Sequence, residues 1–519
     1  MPAFHVENFG CRATQADGAA LERQFEERGL DRASAAHADV VVLNTCTVTA
    51  AADQDARAAI RRIQRQNRKA RIVVTGCYAQ RAPEEIAALP GVSCVVGNSH
   101  KHQLAEIVLR DFGGARPFGA GSKTGAGDDA AGESGFVPLA ALEASGQRPT
   151  ANHQRPIFVS DIFAHTELLA APVFDLPSDS NASERTRPNL KVQDGCDNRC
   201  SFCVIPYVRG QNRSLPLPQI LREVKALVEV GYREIVISGI NLGRWGRDLA
   251  VSSQPSVFSQ GRSLDVSFRG SEAESRTLVF EDLIRVILGE TSIEKLRISS
   301  VEPMDWTDEL IALIAGSPRI AKHAHVPLQS GSDAVLRRMH RKYRPWHYRE
   351  KIERIHAAMP TAAIGADVMV GFPGETDAEF ETTRRLVEDL PFTYLHVFTY
   401  SARPGTPAAD MRNQVPVRIA RERNRILRDL AAEKKFHFMR GFIGQTMEAI
   451  TLRSCGADAP AGNANGTEGC IDQASDTSAF TEALTDNYLQ LQLKGWHQPN
   501  RWVRARVEGV EDGALLGAV

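Results

Sequence analysis

The N-terminal part of the chain alternates short apolar runs with longer amphipathic stretches. The apolar runs predict four strands, at residues 4–9, 39–44, 71–75 and 92–96. Helical patterns follow them, near residues 18–29, 51–68, 83–88 and 101–111. This order predicts a parallel sheet with helices on its faces over residues 1–112, which makes the fold class α/β.

A second series of strand and helix patterns fills residues 188–440. Six apolar runs, each followed by a helical pattern, lie at residues 190–195, 233–239, 294–301, 323–329, 364–371 and 394–400. Repeated β/α units with right-handed crossovers close into a barrel or partial barrel, with reactive groups at the carboxyl ends of the strands. The domain ends in a basic helical extension, with nine Lys and Arg against three Asp and Glu over residues 411–440.

The remaining segments have weaker patterns. Short alternating runs over residues 441–519 predict a small β-barrel with a Gly- and Asn-rich loop inserted at about 455–480. Residues 113–187 are rich in Gly, Ala, Ser and Pro and predict a long, poorly ordered linker. Residues 250–277 are rich in Ser and Gln and predict a surface insertion.

Charge and composition limit the possible functions. The chain has 62 Lys and Arg against 63 Asp and Glu, so any binding of nucleic acid must depend on local basic patches. It shows no secretion signal and no long apolar span, and we expect a cytoplasmic protein without a membrane partner. Nine cysteines in such a chain favour metal or redox chemistry over disulfides.

Three cysteines form a C-x3-C-x2-C motif directly after the first strand of the second series. Cys196, Cys200 and Cys203 are close enough in sequence to bind one iron–sulfur cube and leave one iron open to another ligand. A zinc site would need a fourth Cys or His nearby, and none follows within fifty residues. The motif resembles that of radical S-adenosylmethionine (SAM) enzymes, in which the cluster cleaves this cosubstrate to a 5′-deoxyadenosyl radical.

A second set of cysteines is scattered through the N-terminal part. Cys11, Cys46 and Cys77 each follow the carboxyl end of a predicted parallel strand, and such ends converge on one crevice. Three unrelated buried cysteines are the alternative, but their shared position at strand ends favours a ligand role. Cys94, Cys455 and Cys470 have no such placement, and we predict no ligand role for them.

Two three-cysteine sets on two domains resemble the methylthiotransferases, radical SAM enzymes that install a methylthio group at an unactivated C–H. The supporting motifs are Leu43-Asn-Thr-Cys46-Thr-Val-Thr49, Gly76-Cys77-Tyr-Ala-Gln80, Ile205-Pro-Tyr-Val-Arg209, Pro327-Leu-Gln-Ser-Gly-Ser332 and Val370-Gly-Phe-Pro-Gly-Glu375. One departure is Thr14, where the family usually has Asn. The resemblance implies an N-terminal domain with an auxiliary cluster, a radical SAM partial (β/α)6 barrel and a C-terminal TRAM-like barrel. It also implies SAM and two 4Fe–4S clusters as cofactors.

The segments after strands two and three of the barrel vary with substrate in this family. Residues 238–248 and 296–303 resemble those of the subgroup that methylthiolates C2 of N6-threonylcarbamoyladenosine at position 37 of tRNA. The same reaction on N6-isopentenyladenosine, or on an aspartate of a ribosomal protein, is the alternative within the family. A radical enzyme acting on another protein or a small molecule, and a non-catalytic RNA-binding protein with a structural cluster, are alternatives of other classes.

The resemblance also implies roles for individual residues. Cys196, Cys200 and Cys203 are the ligands of the catalytic cluster, and Cys11, Cys46 and Cys77 are those of the auxiliary cluster. Residues predicted to contact SAM are Phe202, Gly239, Asn241, Glu302, Gln329, Val370 and Gly371. Cations predicted to contact RNA are Arg209, Arg213, Arg337, Arg338, Arg341 and Lys342. Expected partners are tRNA and an electron donor such as flavodoxin or ferredoxin, and we expect a monomer.

Overall fold

The structure is a computed structural model and describes residues 2–110, 155–165, 168, 186–249, 278–452 and 480–519. The predicted insertion at 250–277, nearly all of the one at 455–480 and most of the predicted linker at 113–187 lie outside the described residues. Among the residues that are described, no helix is long and apolar enough to span a bilayer.

The N-terminal domain is a parallel sheet covered by helices on both faces, as the sequence predicts, with six strands in place of the four predicted. In order along the sheet, the strands are β2 (Asp31–Arg32), β1 (Ala3–Asn8), β3 (Val40–Thr45), β4 (Arg71–Gly76), β5 (Val92–Gly97) and β6 (Ile157–Phe158). The helices are α1 (Arg12–Glu26), α2 (Ala50–Gln66), α3 (Cys77–Arg81), α4 (Pro83–Ala87) and α5 (Leu104–Arg110). Every residue of β3 is buried, because helices cover both faces of a parallel sheet.

Part of the predicted linker belongs to this domain, which corrects the boundary at residue 112. Ile157 and Phe158 pair with Val95 and Val96 of β5 and form the sixth strand. Arg155 donates to the carbonyl of Ala87, 2.8 Å away. The strand is only two residues long and lies within a stretch rich in small residues, so it gives no recognisable pattern in the sequence.

The central domain is a partial barrel built from two sheets. One sheet has the order β10 (Lys295–Ile298), β9 (Glu234–Gly239), β7 (Asn189–Asp194) and β8 (Arg213–Ser214), and the other has β11 (His323–His325), β12 (Ala363–Val370) and β13 (Tyr394–Thr399). Single parallel bridges from Leu296 to Ile320 and from Ser300 to His325 link the two sheets. The barrel stays open between β8 and β13, which confirms the predicted partial barrel.

Helices of the central domain follow the strands as the sequence predicts. They are α6 (Ile205–Arg209), α7 (Leu217–Glu229), α8 (Phe280–Glu290), α9 (Asp308–Gly316), α10 (Asp333–Arg338), α11 (Pro345–Ala358), α12 (Asp377–Asp389) and the basic α13 (Val417–Arg440). Buried apolar side chains from these helices pack on the outer faces of both sheets in one continuous core. The inner faces of the strands are therefore left to form a lumen.

The N-terminal domain spans the open side of the barrel. On one edge, Asn189 at the start of β7 donates to the carbonyl of Arg12, 2.8 Å away. On the other edge, Arg403 donates to the carbonyl of Thr47 at 3.1 Å, beyond the end of β13. The lumen is thus enclosed between the two domains.

A buried network of charges joins the two domains. Asp17 of α1 accepts hydrogen bonds from Lys101 at 3.0 Å, from Arg209 at 2.9 Å and from Lys191. Lys191 and Arg209 also bond to Asp194 at the end of β7. Burial alone would raise the pKa of Asp17, but the three cations outweigh burial and hold the pKa well below its ordinary value.

The C-terminal domain is a closed five-stranded β-barrel, as predicted from the alternating pattern. Its strands are β14 (Thr446–Thr451), β15 (Phe480–Thr485), β16 (Gln490–Lys494), β17 (Trp502–Glu511) and β18 (Ala514–Ala518). The turn between β15 and β16 reaches the bottom of the central barrel, where Arg297 bonds to the carbonyls of Thr485 and Asp486. In the same turn, the hydroxyl of Tyr488 accepts from Arg12 at 3.0 Å, so all three domains meet there.

Replacing Asp17 by Ala tests the network. Lys101, Lys191 and Arg209 would then share one carboxylate fewer at a buried site, and breaking such a pair costs about 3–5 kcal/mol. We expect the free energy of unfolding, measured by urea denaturation, to fall by about this amount. Since the folded pKa of Asp17 is lowered, the wild-type contribution is present at neutral pH and is lost as the pH falls below about 4.

Asp31→Ala is the matched control, because Asp31 is exposed at the edge of the sheet and its loss changes stability by about 0.5 kcal/mol or less. Equal effects of the two substitutions would show that the network does not hold the domains together.

Candidate functional site

The structure brings Cys11, Cys46 and Cys77 together at one edge of the N-terminal sheet. Cys11 precedes α1, Cys46 follows β3 and Cys77 begins α3, and the preceding strands β1, β3 and β4 are neighbours. Burial raises the pKa of Cys46 to about 12, with further contributions from the charges of Cys77 and Cys11. The three thiols are thus close enough to interact, and we call them the auxiliary set.

Small and polar residues shape the loops that carry the auxiliary set. Gly10 has a φ of +99°, and a Cβ at this position would lie 2.4 Å from the Cβ of Cys46 and 2.8 Å from its Sγ. Only glycine allows the Cys11 loop to approach Cys46 this closely. The Thr14 hydroxyl lies 3.5 Å from the Sγ of Cys11, so a polar group is retained where the family usually has Asn.

Cys196, Cys200 and Cys203 lie on the loop between β7 and α6, and we call them the radical set. The amide of Cys196 donates to the carbonyl of Gly210 at 3.0 Å, and the amide of Cys203 donates to the carbonyl of Cys200 at 3.1 Å. Burial raises the pKa of Cys196 to about 11 and that of Cys203 to about 12, and the charge of Cys200 adds to both shifts. Metal binding would displace the protons of such thiols.

Arg341 lies against the radical set. It donates to the Sγ of Cys200 at 3.3 Å, pairs with Glu302 and stacks on the ring of Tyr343. Although burial lowers its pKa, the neighbouring Tyr343, Glu302 and Cys200 outweigh burial and raise the pKa well above the ordinary value. The prediction that Arg341 contacts RNA is corrected, because its guanidinium is buried and fully used beside the cysteines.

Arg209 occupies a similar position beside the auxiliary set. It is 2% exposed, donates twice to Asp194 at 3.0 and 2.9 Å, and also pairs with Asp17. Its charge interacts with those of Cys77 and Cys11. The prediction that Arg209 contacts RNA is therefore corrected too, since a residue buried between two domains cannot reach a phosphate of RNA.

The short helix α6 separates the two cysteine sets. It begins two residues after Cys203, while Cys77 packs against Val204 and Val208. Asn98 connects the same elements, because its Nδ2 donates to the carbonyl of Val208 at 2.7 Å and to the Sγ of Cys77 at 3.5 Å. One turn of helix thus places both sets at the top of the same lumen.

Of the residues predicted to contact SAM, Phe202, Asn241 and Glu302 lie beside the radical set, and Gly239 and Gln329 lie on loops or strand ends of the same barrel. The Nδ2 of Asn241 is 3.7 Å from the Sγ of Cys196, and its buried Oδ1 has no hydrogen-bond partner within the described part of the chain. Glu302 is held by Arg341, and Phe202 meets Phe372 edge-on at 6.5 Å. The other two residues are Gly239, which packs on Gln193, and Gln329, which has a φ of +64°.

Val370 and Gly371 have other roles in the structure. The side chain of Val370 is fully buried in the core on the outer face of β12. A Cβ at Gly371 would lie 2.5 Å from the Cβ of Ala420, and the amide of Gly371 donates to Glu375 at 2.7 Å. Packing of α13 on β12 therefore explains both residue types, and the contact of Val370 and Gly371 with SAM stays a prediction.

The remaining predicted RNA contacts differ in exposure. Arg213 is half-buried and donates to the carbonyls of His165 and Arg209. Arg338 pairs with Glu379, while Arg337 and Lys342 are exposed at the surface. Of these four cations, Arg337 and Lys342 are the most accessible to RNA.

The buried charges that support both sets are not part of any motif in the sequence. They are Asp17, Lys101, Lys191 and Asp194. Lys191 and Asp194 in β7 could have indicated such a network, because a charged residue in a buried strand needs a partner of opposite charge. The partner Asp17 could not be identified, since it is 174 residues away from Lys191 in sequence.

Each cysteine set matches the ligands of an iron–sulfur cluster with one open iron. A set offers three thiols and has a buried arginine next to it, which compensates negative charge. A structural zinc site would require a fourth Cys or His. The structure describes one further cysteine, Cys94, which lies within β5, and the six cysteines of the two sets form no disulfide within the described part of the chain.

Gly10→Ala tests the auxiliary set, with Gly29→Ala as the matched control. Both glycines have positive φ values, +99° and +78°, so both substitutions add strain of about 1 kcal/mol. A Cβ at Gly29 meets nothing within 4 Å, whereas one at Gly10 collides with Cys46. We expect Gly10→Ala to lose iron after anaerobic reconstitution while Gly29→Ala keeps the wild-type content. Equal iron content would show that this contact does not shape the site.

Comparisons with known proteins agree with this geometry. Residues 3–97 match the family described as "Uncharacterized protein family UPF0004", and residues 190–387 match the "Radical SAM superfamily". The two matches correspond to the sheet that carries the auxiliary set and to the barrel that carries the radical set.

Curated relatives cover nearly the whole chain. A threonylcarbamoyladenosine tRNA methylthiotransferase MtaB from Bacillus subtilis is 32% identical over 95% of this chain and 90% of its own length. One of the same name from Aquifex aeolicus is 32% identical over 96% of this chain and 99% of its own length. A tRNA-2-methylthio-N(6)-dimethylallyladenosine synthase from Novosphingobium aromaticivorans is 32% identical over 87% of this chain and 86% of its own length. The chain belongs to the radical SAM methylthiotransferase family.

Proposed function

We propose that the protein methylthiolates C2 of N6-threonylcarbamoyladenosine at position 37 of tRNA. The observation that carries this proposal is the placement of two three-cysteine sets on either side of α6, above one lumen. Methylthiolation needs both a radical at the carbon and a sulfur donor, so both sets must reach one nucleoside. The names and coverage of the MtaB relatives support the threonylcarbamoyl substrate.

We assign one 4Fe–4S cluster to each set and SAM to the open iron of the radical set. When bound, these groups supply the radical chemistry and the sulfur site. Arg341 holds the Sγ of Cys200 and the carboxylate of Glu302 in fixed positions. The backbone N–H of Asn241 donates to the Oε1 of Gln193 at 2.7 Å, and its side-chain Nδ2 lies beside Cys196. The Oδ1 of Asn241 has no partner among the described residues.

For tRNA, we infer a binding surface that includes Arg337, Lys342 and the exposed face of α13. Six arginines are exposed on or just before this helix, namely Arg412, Arg418, Arg421, Arg425, Arg428 and Arg440. Such a row of cations neutralises phosphates and makes binding depend on salt. This surface replaces the buried Arg209 and Arg341 of the original prediction.

Further partners follow from the chemistry. We infer a low-potential electron donor such as flavodoxin or ferredoxin, because radical formation requires one electron from outside the chain. We also infer a monomer in the cytoplasm, where a reducing environment keeps the cysteines unpaired.

The second candidate function is the same reaction on N6-isopentenyladenosine. The relative from Novosphingobium aromaticivorans favours it, since that protein is as similar in identity as the MtaB proteins. The two candidate functions differ in the N6 substituent of the adenosine that the enzyme modifies.

Mass spectrometry of tRNA nucleosides tests the substrate. Anaerobically reconstituted enzyme should convert tRNA that carries N6-threonylcarbamoyladenosine to the 2-methylthio product. The same tRNA with N6-isopentenyladenosine or unmodified adenosine should remain unchanged, because polar groups built to bind the substituent are costly to leave unpaired. Turnover of the isopentenyl form alone would assign the protein to the second candidate function.

Cysteine variants test the division of labour between the sets. Two 4Fe–4S clusters imply about eight irons per chain, and removal of one set should leave about four. Cys200→Ala should abolish 5′-deoxyadenosine formation, whereas Cys46→Ala should retain some formation and stop methylthiolation. Zinc in place of iron, or identical behaviour of the two variants, would contradict the two assigned roles.

A further inference from the structure

Three polar side chains meet on neighbouring strands of the central barrel. His325 of β11, Asp367 of β12 and His396 of β13 present ring nitrogens and a carboxylate oxygen that all lie within 4.8 Å of one another. The Nδ1 of His396 is 3.2 Å from the Oδ1 of Asp367, and the Nε2 of His325 is 3.4 Å from the same oxygen. We call these three residues the imidazole group.

The imidazole group faces the lumen rather than the outer core. Along β12, Ala366 and Val368 are fully buried in the core beneath the helices, while Asp367 between them is partly exposed. Successive side chains of a strand point to opposite faces, so Asp367 points inward. His396 pairs with Asp367 across the strands and its side chain is 55% exposed, so it borders open space.

Backbone contacts connect the imidazole group to the radical set. The amide of Val301 donates to the carbonyl of His325 at 3.1 Å, and the next residue, Glu302, pairs with Arg341 beside Cys200. The carbonyl of Asp367 accepts from the amide of Gln329 at 2.8 Å. The imidazole group therefore lies in the lumen just below the residues that surround the radical set.

Aromatic rings close the lumen below the imidazole group. The ring of Tyr394 is stacked 5.9 Å from that of His325, and its hydroxyl is 2.7 Å from the Nε2 of His323. Tyr488 from the C-terminal barrel lies 4.5 Å from the ring of His323. Arg12 bonds to the hydroxyl of Tyr488 and has no acidic partner within the described part of the chain. The lumen thus combines flat rings, imidazoles and the guanidinium of Arg12.

The imidazole group has hydrogen-bonding capacity left unused. The Nε2 of His325 is buried and has no aligned hydrogen-bond partner among the described residues. Because a carboxylate only accepts hydrogen bonds, Asp367 fixes the hydrogen of His396 on Nδ1 and leaves Nε2 directed elsewhere. Unpaired buried polar groups are costly and indicate a ligand that completes them.

Two modified adenosines differ in what they offer to such a group. A threonylcarbamoyl substituent carries a carboxylate, a hydroxyl and amide groups, whereas an isopentenyl substituent carries only hydrocarbon. An apolar substituent would offer no partner to the remaining ring nitrogens of the two imidazoles or to the remaining N–H groups of Arg12, and a site built for hydrogen bonds rejects ligands that lack them. The threonylcarbamoyl substituent supplies the polar partners that this site requires.

We propose that His396 and His325, oriented by Asp367, bind the polar substituent on N6 of the adenosine and determine which modified nucleoside is accepted. Arg12 supplies the positive charge for the carboxylate of that substituent. This proposal rests on the proposed function and extends it, since it names the residues that read the threonylcarbamoyl group. The recognition site then contains residues of both the N-terminal domain and the central barrel, next to Tyr488 of the third.

His396→Phe tests the proposal, with His37→Phe as the matched control. Phe398 shows that β13 accepts phenylalanine at an exposed position, so the variant keeps a ring and loses only the nitrogens. His37 is exposed between β2 and β3 of the N-terminal domain, outside the surface assigned to tRNA, and its ring bonds to the hydroxyl of Ser34. Affinity is measured for one tRNA carrying N6-threonylcarbamoyladenosine, N6-isopentenyladenosine or unmodified adenosine at position 37.

We expect His396→Phe to weaken binding of the threonylcarbamoyl form roughly ten- to a hundredfold, the range for a lost hydrogen bond to a charged group. Binding of unmodified tRNA, iron content and 5′-deoxyadenosine formation without tRNA should stay at wild-type values, and His37→Phe should behave as wild type. An unchanged preference for the threonylcarbamoyl form would overturn the proposal, and so would loss of a metal ion on substitution, since that result would identify a metal site instead.

Failure of the proposed function gives a different result. In that case the wild-type enzyme itself would neither prefer nor modify the threonylcarbamoyl form, whatever the variants do. A wild-type enzyme that modifies this form, together with a His396→Phe variant that binds it equally well, would leave the function standing and reject the role of the imidazole group.

Discussion

The buried charge network around Asp17 is the interaction on which the rest of the structure depends. It holds α1 of the N-terminal domain against β7 of the central barrel through Lys191 and Arg209. Both elements lead directly to cysteines, since Cys11 precedes α1 and Cys196 follows β7. Charges removed from water tolerate little displacement, because a separated charge would remain buried without a partner. The network therefore fixes the two cysteine sets relative to each other.

Cations lie next to both cysteine sets. Arg209 and Lys101 lie near the auxiliary set, and Arg341 contacts the radical set. The burial that raises the pKa values of Cys46 and Cys203 disfavours thiolates, so neighbouring positive charge and metal together must compensate for it. Arg209 and Arg341, which the sequence suggests as RNA contacts, thus lie buried beside the cysteines. The exposed arginines of α13 remain accessible to tRNA.

Closure of the lumen requires all three domains. The partial barrel leaves one side open, the N-terminal domain covers it through Arg12 and Thr47, and the C-terminal barrel inserts Tyr488 from below. Tyr488 has a φ of +68°, a conformation that costs energy for a bulky residue and is retained through its contacts with Arg12, His323 and Arg297. The C-terminal barrel therefore shapes the site in addition to any contact with RNA.

The sequence by itself determined the architecture and the cysteines, while the tertiary structure decided which charged residues belong to the site. Strand periodicity and the spacing of Cys196, Cys200 and Cys203 are local properties of the sequence. Cys11, Cys46 and Cys77 are far apart in sequence, but the carboxyl ends of parallel strands converge, so their meeting could also be predicted. Burial depends on residues that are distant in sequence. Arg209 and Arg337 both lie in basic segments, yet Arg209 is buried and Arg337 is exposed. The imidazole group joins residues from three strands, and only the register of β11, β12 and β13 places them side by side.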